Sequence, residues 1–330
     1  MDMGIIITHM KKMKNNRYLG LDILRVVSAL MVVFYHYFYH FHNVYDTGDS
    51  SFLFSVGKYG VVVFFVISGF VISSTISSSR SYNEFLFKRI SRLFPTYWMG
   101  VITTFLFLHF FYLKGRMVSI DEMLVNLTMF QQIFGIKNVD GSYWTLIYEL
   151  FFYIIFGWVL FRKLNITTVV SILTLLVYFS KFITITEDFY PLFLYEYGVF
   201  FAFGIIIYVY RMHPIIYNKK LFILSCVLVF YLFTFRKYPF VDLFFIIVVF
   251  YASSPMVNEI LIPVRRGLVI LSLLTYPIYL IHQNISYSIF VKFGTTPAVY
   301  ISAFLFIIIV SVIILKLDMF IQKMIKRIYD

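Results

Sequence analysis

Two ionisable residues share one face of the first long apolar stretch. Arg25 and His36 lie eleven residues apart. In an α-helix that is about three turns, so both side chains point the same way, about 16 Å apart along the axis. A charged group in hydrocarbon costs a few kcal/mol, so ionisable residues inside apolar stretches are functional candidates. One helix face could thus touch an anion at one membrane surface and place an imidazole, able to accept a proton near neutral pH, further out. Taken singly, Arg25 also reads as a snorkelling anchor and His36 as a packing histidine.

Four further groups carry chemistry. Glu149, in Trp144-Thr145-Leu146-Ile147-Tyr148-Glu149, sits about six residues from the outer end of its apolar run, as His36 does. At 1.5 Å per residue the two lie at similar depth, which predicts a base and its orienting carboxylate; a structural ion pair is the alternative. Tyr276-Pro277-Ile278-Tyr279-Leu280-Ile281-His282 brings a second imidazole near that layer, where a hydrogen bond to a neighbouring carbonyl is a slightly better reading than direct chemistry. Ser68-Gly69 is a small pair in the middle of an apolar run, suited to close helix packing or to making room for a substrate. Arg89 and Arg92, three apart, share one helix face and suit a phosphate ligand or an anionic-lipid patch. His40, His42 and His109 fall at helix ends, where an interfacial role is expected. There is no Gly-rich phosphate loop, Gly-x-Ser-x-Gly elbow or His-Glu-x-x-His site. No metal is expected, because His and carboxylates are not clustered at ligand spacing.

These residues must be held by a membrane scaffold. Of 330 residues, 61% are hydrophobic and 13% charged, against about 45–50% and 25% in soluble domains. That excludes a cytosolic enzyme, a coiled coil and a disordered chain. The predicted fold is all-α and polytopic. Runs of roughly 20 apolar residues give ten spans: 23–42, 57–75, 94–113, 143–161, 167–185, 192–211, 221–235, 240–254, 268–291 and 298–320. The seventh and eighth are short and form a hairpin. Residues 1–17 and 322–330 read as cytoplasmic tails around a membrane domain, 18–321, with the first span an uncleaved anchor. With both termini inside, 20 of the 28 Lys and Arg fall on the inner side or at inner helix ends. The outer side keeps eight: Lys58, Lys114, Arg116, Lys137, Lys181, Arg236, Lys237 and Lys292. Residues 124–134 are apolar enough to lie in the outer interface. The lone Cys226 rules out an internal disulfide framework and a Cys-based zinc site.

In this order the blocks resemble one family, the family-3 membrane O-acyltransferases. The matching pieces are Leu21-Asp22-Ile23-Leu24-Arg25 with His36 eleven residues on, Phe64-Phe65-Val66-Ile67-Ser68-Gly69-Phe70, Arg89-x-x-Arg92 before Pro95, Trp144-Thr145-Leu146 with Glu149, and Tyr279-Leu280-Ile281-His282. The likeness covers roughly Tyr18 to Lys316. It implies a multi-pass enzyme of the bacterial inner membrane that moves an acyl group, usually acetyl from cytoplasmic acetyl-CoA, to a hydroxyl of surface polysaccharide, lipopolysaccharide or a lipid-linked precursor. It implies His36, Glu149 and Arg25 as catalytic residues and Arg89, Arg92 and Ser68 as donor contacts. Trp144, Tyr279 and His282 become contacts to the acceptor. Two departures stand out: Thr145 replaces the usual serine but keeps a hydroxyl, and no esterase-like domain follows the last span. A transporter or flippase for a glycan precursor also uses mid-membrane polar groups and a proline-containing span, though no internal repeat is visible here. A non-enzymatic assembly subunit is the third reading.

Overall fold

The computed structural model describes residues 17–48, 50–77, 79, 81–162, 166–182, 189–191, 194–212 and 219–329. Lys11, Lys12, Lys14, Arg80 and Lys163, five of the 20 basic residues counted on the inner side, lie outside them. Among the described residues the only regular structure is helical. Helix α1 (Leu19–Val44) contains a π-helical turn at His36–His40. A 3-10 segment (Phe52–Tyr59) leads into α2 (Gly60–Ser77). Then come α3 (Tyr82–Phe110), α4 (Ile120–Asn126), and a 3-10 turn (Gly141–Thr145) opening α5 (Leu146–Phe151). A second π turn (Phe152–Phe156) joins α5 to α6 (Gly157–Phe161). The chain continues as α7 (Ile166–Phe179), α8 (Gly198–Met212), α9 (Lys219–Phe235), α10 (Pro239–Ala252), α11 (Pro255–Ile260), α12 (Arg265–Phe293) and α13 (Pro297–Tyr329).

Among the described residues, five helical segments are long and apolar enough to cross a membrane: Leu19–Val44, Phe52–Ile76, Tyr82–Phe110, Ile262–Phe293 and Pro297–Arg327. The other five expected spans take a different form. The apolar helices α7, α8 and α10 are short; fourteen residues of α-helix, as in α7 and α10, rise about 21 Å, less than the roughly 30 Å hydrocarbon core. Helices α9 and α10 form the expected hairpin, turned at Arg236–Tyr238. The fourth expected span is broken into 3-10, α, π and α pieces. Residues 120–126 form α4, its start fixed by Ser119 and Glu122 in a reciprocal capping box.

The outward surface suits lipid. On α13, Ile301, Leu305, Ile309, Ile313, Leu317 and Phe320 are all exposed, at a spacing of three to four residues that lays them along one helix face. So large an apolar stripe is a liability in water and the expected lipid face of a multi-pass membrane protein. Inside, α12 packs against α1, α3 and α13, and α2 packs most extensively on α8. That last contact depends on glycine. A Cβ on Gly69 would lie 2.2 Å from the Phe201 carbonyl oxygen, and one on Gly204 2.1 Å from that of Val66. Ser68 and Gly69 therefore divide two tasks. They are about 100° apart around the helix: Gly69 admits the α8 backbone, and Ser68 turns towards an interior cavity.

Candidate active site

His36 opens the π turn of α1 and lines a cavity of about 580 Å³ together with His40, Trp144, Tyr279 and Gln283. Its protonation pattern follows from its neighbours. His282 Nδ1 lies 2.8 Å from the Tyr279 carbonyl oxygen, which can only accept, so this nitrogen carries the proton. The lone pair of His282 is then on Nε2, 3.0 Å from His36 Nδ1. His36 Nδ1 is also 2.8 Å from the Val32 carbonyl oxygen. Both of its neighbours accept, so His36 Nδ1 donates and its Nε2 keeps a lone pair. Two carbonyls and the His282 ring thus fix one tautomer of His36, the one a general base needs. His282 is fully buried and touches His36 rather than either cavity. It holds the His36 ring, the position that the sequence had suggested for Glu149.

A second cavity, of about 190 Å³, is lined by Arg25, Arg89, Arg92, Ser68, Glu149 and Tyr153, among others. Arg25 Nη1 donates to Asp22 Oδ1 at 3.1 Å. Asp22 is itself fully buried and accepts a 2.8 Å bond from Ser272 Oγ. Arg89 is buried; its Nη2 donates to the Val71 carbonyl oxygen at 3.1 Å and to Thr75 Oγ1. Its guanidinium lies over the Phe85 and Tyr153 rings, 5.8 and 5.4 Å from their centroids. Arg92, one turn further along α3, is exposed. Glu149 Oε1 accepts from Ser68 Oγ at 2.8 Å and from Tyr153 OH.

The expected pairing of His36 with Glu149 is therefore absent: the two line different cavities. The depth argument assumed α-helical rise from Tyr143 onward. The segment instead enters as a 3-10 turn, whose rise and twist per residue differ from those of an α-helix, so a count at α-helical rise does not place Glu149, which lines the arginine cavity. Arg25 likewise serves the arginine cavity and not the imidazole. Trp144 lines the His36 cavity, while Ser68, Arg89 and Arg92 line the other. Only Tyr279 and Val61 belong to the walls of both. The Tyr279 hydroxyl lies 2.7 Å from Thr145 Oγ1, and both hydroxyls are 3.2 Å from the Ser142 carbonyl oxygen. The hydroxyl that Thr145 retains is thus in use, holding Tyr279 where the two cavities meet.

Sequence reasoning missed Asp140. It is fully buried; its Oδ1 accepts from Ser142 N at 3.0 Å and Ser142 Oγ at 2.8 Å, and its Oδ2 from Asn284 N at 2.9 Å. Asn284 Nδ2 returns a 2.9 Å bond to the Val139 carbonyl oxygen. This clasp ties the loop before Trp144 to the turn of α12 that carries Tyr279 and His282. The one signal in the sequence was a lone acid four residues before Trp144. Asp140→Asn puts an NH2 where one oxygen accepts, facing a buried N–H, and is expected to cost about 1–3 kcal/mol. A lowered thermal unfolding midpoint in detergent is the readout; an unchanged midpoint would show the clasp to be dispensable. His40 was also underrated: it lines the cavity beside His36, with Nδ1 2.6 Å from the Tyr287 hydroxyl.

Comparison with known proteins finds relatives for this chain. The O-acetyl transferase of Shigella phage Sf6 is 28% identical over 225 residues, 62% of this chain and 66% of that protein. The exopolysaccharide production protein ExoZ of Rhizobium meliloti (strain 1021) is 33% identical over 136 residues, 38% of this chain and 40% of its own. Nodulation protein 10 of Rhizobium leguminosarum bv. viciae is 26% identical over 153 residues, 40% of this chain and 41% of its own. The aligned part thus spans between two fifths and just under two thirds of these relatives' lengths. No solved structure matches significantly. The acyltransferase domain family matches residues 18–316, a stretch that runs from the start of α1 into α13 and takes in both cavities and every motif between them, so the chain belongs to the family-3 membrane O-acyltransferases.

Proposed function

We propose that the protein is an O-acetyltransferase of the bacterial inner membrane, passing acetyl from cytoplasmic acetyl-CoA to a hydroxyl of a cell-surface glycan or its lipid-linked precursor. The observation that carries this reading is the pair of cavities meeting at Tyr279, one bearing three arginines and the other the free lone pair of His36. With both termini taken to lie inside, the arginines fall at the cytoplasmic end. The narrower cavity suits the extended arm of the donor, with its phosphates held by Arg89 and Arg92. The wider one falls within the about 300–1,000 Å³ of small-ligand sites and suits the acceptor sugar. His36 Nε2 takes the proton of the acceptor hydroxyl as its oxygen attacks the thioester carbonyl. The tetrahedral adduct then collapses, the C–S bond breaks, and the imidazolium returns the proton to the departing thiolate. Glu149, bonded to Ser68 and Tyr153, shapes the donor side.

Incubating purified protein with labelled acetyl-CoA and surface glycan from a strain lacking this gene tests the proposal. Free CoA and acetyl ester on the glycan are expected in equal amounts. If the glycan crosses a vesicle membrane while acetyl-CoA stays intact, the protein is a carrier and the proposal fails.

A further inference from the structure

The wall of the His36 cavity carries more positive charge than proton transfer needs. Lys58, Arg116, Arg236 and Lys237 line it, against one carboxylate, Glu196. Part of this charge is neutralised locally. Arg236 Nε is 3.0 Å from Asp242 Oδ2 and its Nη1 3.3 Å from Glu196 Oε2, while Lys181 is 2.8 Å from Glu196 Oε1. These two cations and two carboxylates balance. Among the described residues, the ion pairs include none for Lys58, Arg116 or Lys237. Lys58 Nζ sits 5.4 Å from the ring centroids of Tyr59 and Tyr238, and Lys237 Nζ 5.3 Å from that of Tyr238. Aromatic faces position these ammonium groups without cancelling their charge.

The placement is selective. The charge rule leaves only eight basic residues on the outer side, and four of them gather at this one cavity. They come from separate parts of the chain: the 3-10 segment before α2, the loop after α3, and the α9–α10 turn. A topology signal would need no such convergence. Three uncompensated cations around a cavity raise the local concentration of an anionic ligand and fix its orientation.

Building on the acetyl-transfer reading above, we propose that the acceptor is an anionic glycan whose carboxylate or phosphate is held by Lys58, Arg116 and Lys237, setting which hydroxyl reaches His36. Binding can be measured without donor, on protein in zwitterionic nanodiscs. The probes are a glucuronic-acid-containing oligosaccharide, its carboxyl-reduced counterpart, and that reduced oligosaccharide carried on a short polyprenyl diphosphate. At least one charged probe should bind tenfold or more tightly than the neutral one, and the preference should shrink as salt rises. Which charged probe gains identifies carboxylate or diphosphate as the group recognised. In the triple variant Lys58→Gln, Arg116→Gln, Lys237→Gln the preference should vanish, with CoA affinity unchanged as a check on folding. Equal binding of all three probes, weak or tight, overturns the proposal, as does a charge preference that survives in the variant. Because no donor is present, a failure of acetyl transfer does not alter this result. Conversely, acetylation of glycan with no charge preference would remove this inference alone.

Discussion

His36→Ala is expected to lower acetyl transfer by about 10²–10⁴-fold, the usual contribution of a positioned general base, while CoA still binds. The imidazole is removed from the wider cavity, and the arginines that would hold the donor lie in the other. The same geometry separates His36 from His282. The buried ring of His282 supplies one acceptor lone pair to His36 Nδ1 and donates to the Tyr279 carbonyl. His282→Leu removes the acceptor and should lower kcat with little effect on the KM for either substrate. His282→Gln, whose amide oxygen can accept, should recover part of the rate. A purely packing role predicts the opposite order, because leucine fills an apolar core better than an amide. Wild-type transfer by purified His36→Ala would end the catalytic claim, and equal rates for His282→Leu and His282→Gln would end the orienting one.

The helix period was enough to put Arg25 and His36 on one face of α1, because three regular turns separate them. It was also enough to find the apolar helices and the α9–α10 hairpin. The period failed where the helices depart from it. The π turn at His36–His40 and the 3-10 entry at Gly141–Thr145 change rise and phase, so depths counted at 1.5 Å per residue put Glu149 beside the wrong partner. The hydrogen bond from His282 to a nearby carbonyl was foreseeable, since histidine in an apolar helix needs a partner. That its other nitrogen meets His36 was not, because α1 and α12 are more than 200 residues apart in sequence and only their packing brings the rings together. Asp140 lies in a loop, where no periodicity exists to read. Lys58, Arg116 and Lys237 were counted as exceptions to a charge rule, and only their common cavity makes them a group.

Arg89→Ala is expected to weaken CoA binding by about 10- to 150-fold, more than Arg92→Ala does, though the two lie one turn apart on α3. Arg89 is buried, with Nη2 engaged by the Val71 carbonyl and Thr75 and its plane set between Phe85 and Tyr153. Ordering is already complete before a ligand arrives, so the N–H groups it offers act in a low-dielectric setting. Each charge-assisted hydrogen bond there contributes about 1.5–3 kcal/mol. Arg92 is exposed; its attraction for a phosphate is screened by water and salt, and must also order a mobile side chain, which leaves about 0–1 kcal/mol. The two effects also differ in kind. Raising ionic strength should erode the Arg92 contribution and spare that of Arg89. Arg89→Lys should recover little, because an ammonium cannot hold the Val71 and Thr75 contacts and present further donors in a fixed plane at the same time. Calorimetric titration of CoA into the detergent-solubilised variants measures all three. Wild-type affinity in Arg89→Ala would place the donor phosphates elsewhere, and with them the cytoplasmic end of the transfer path.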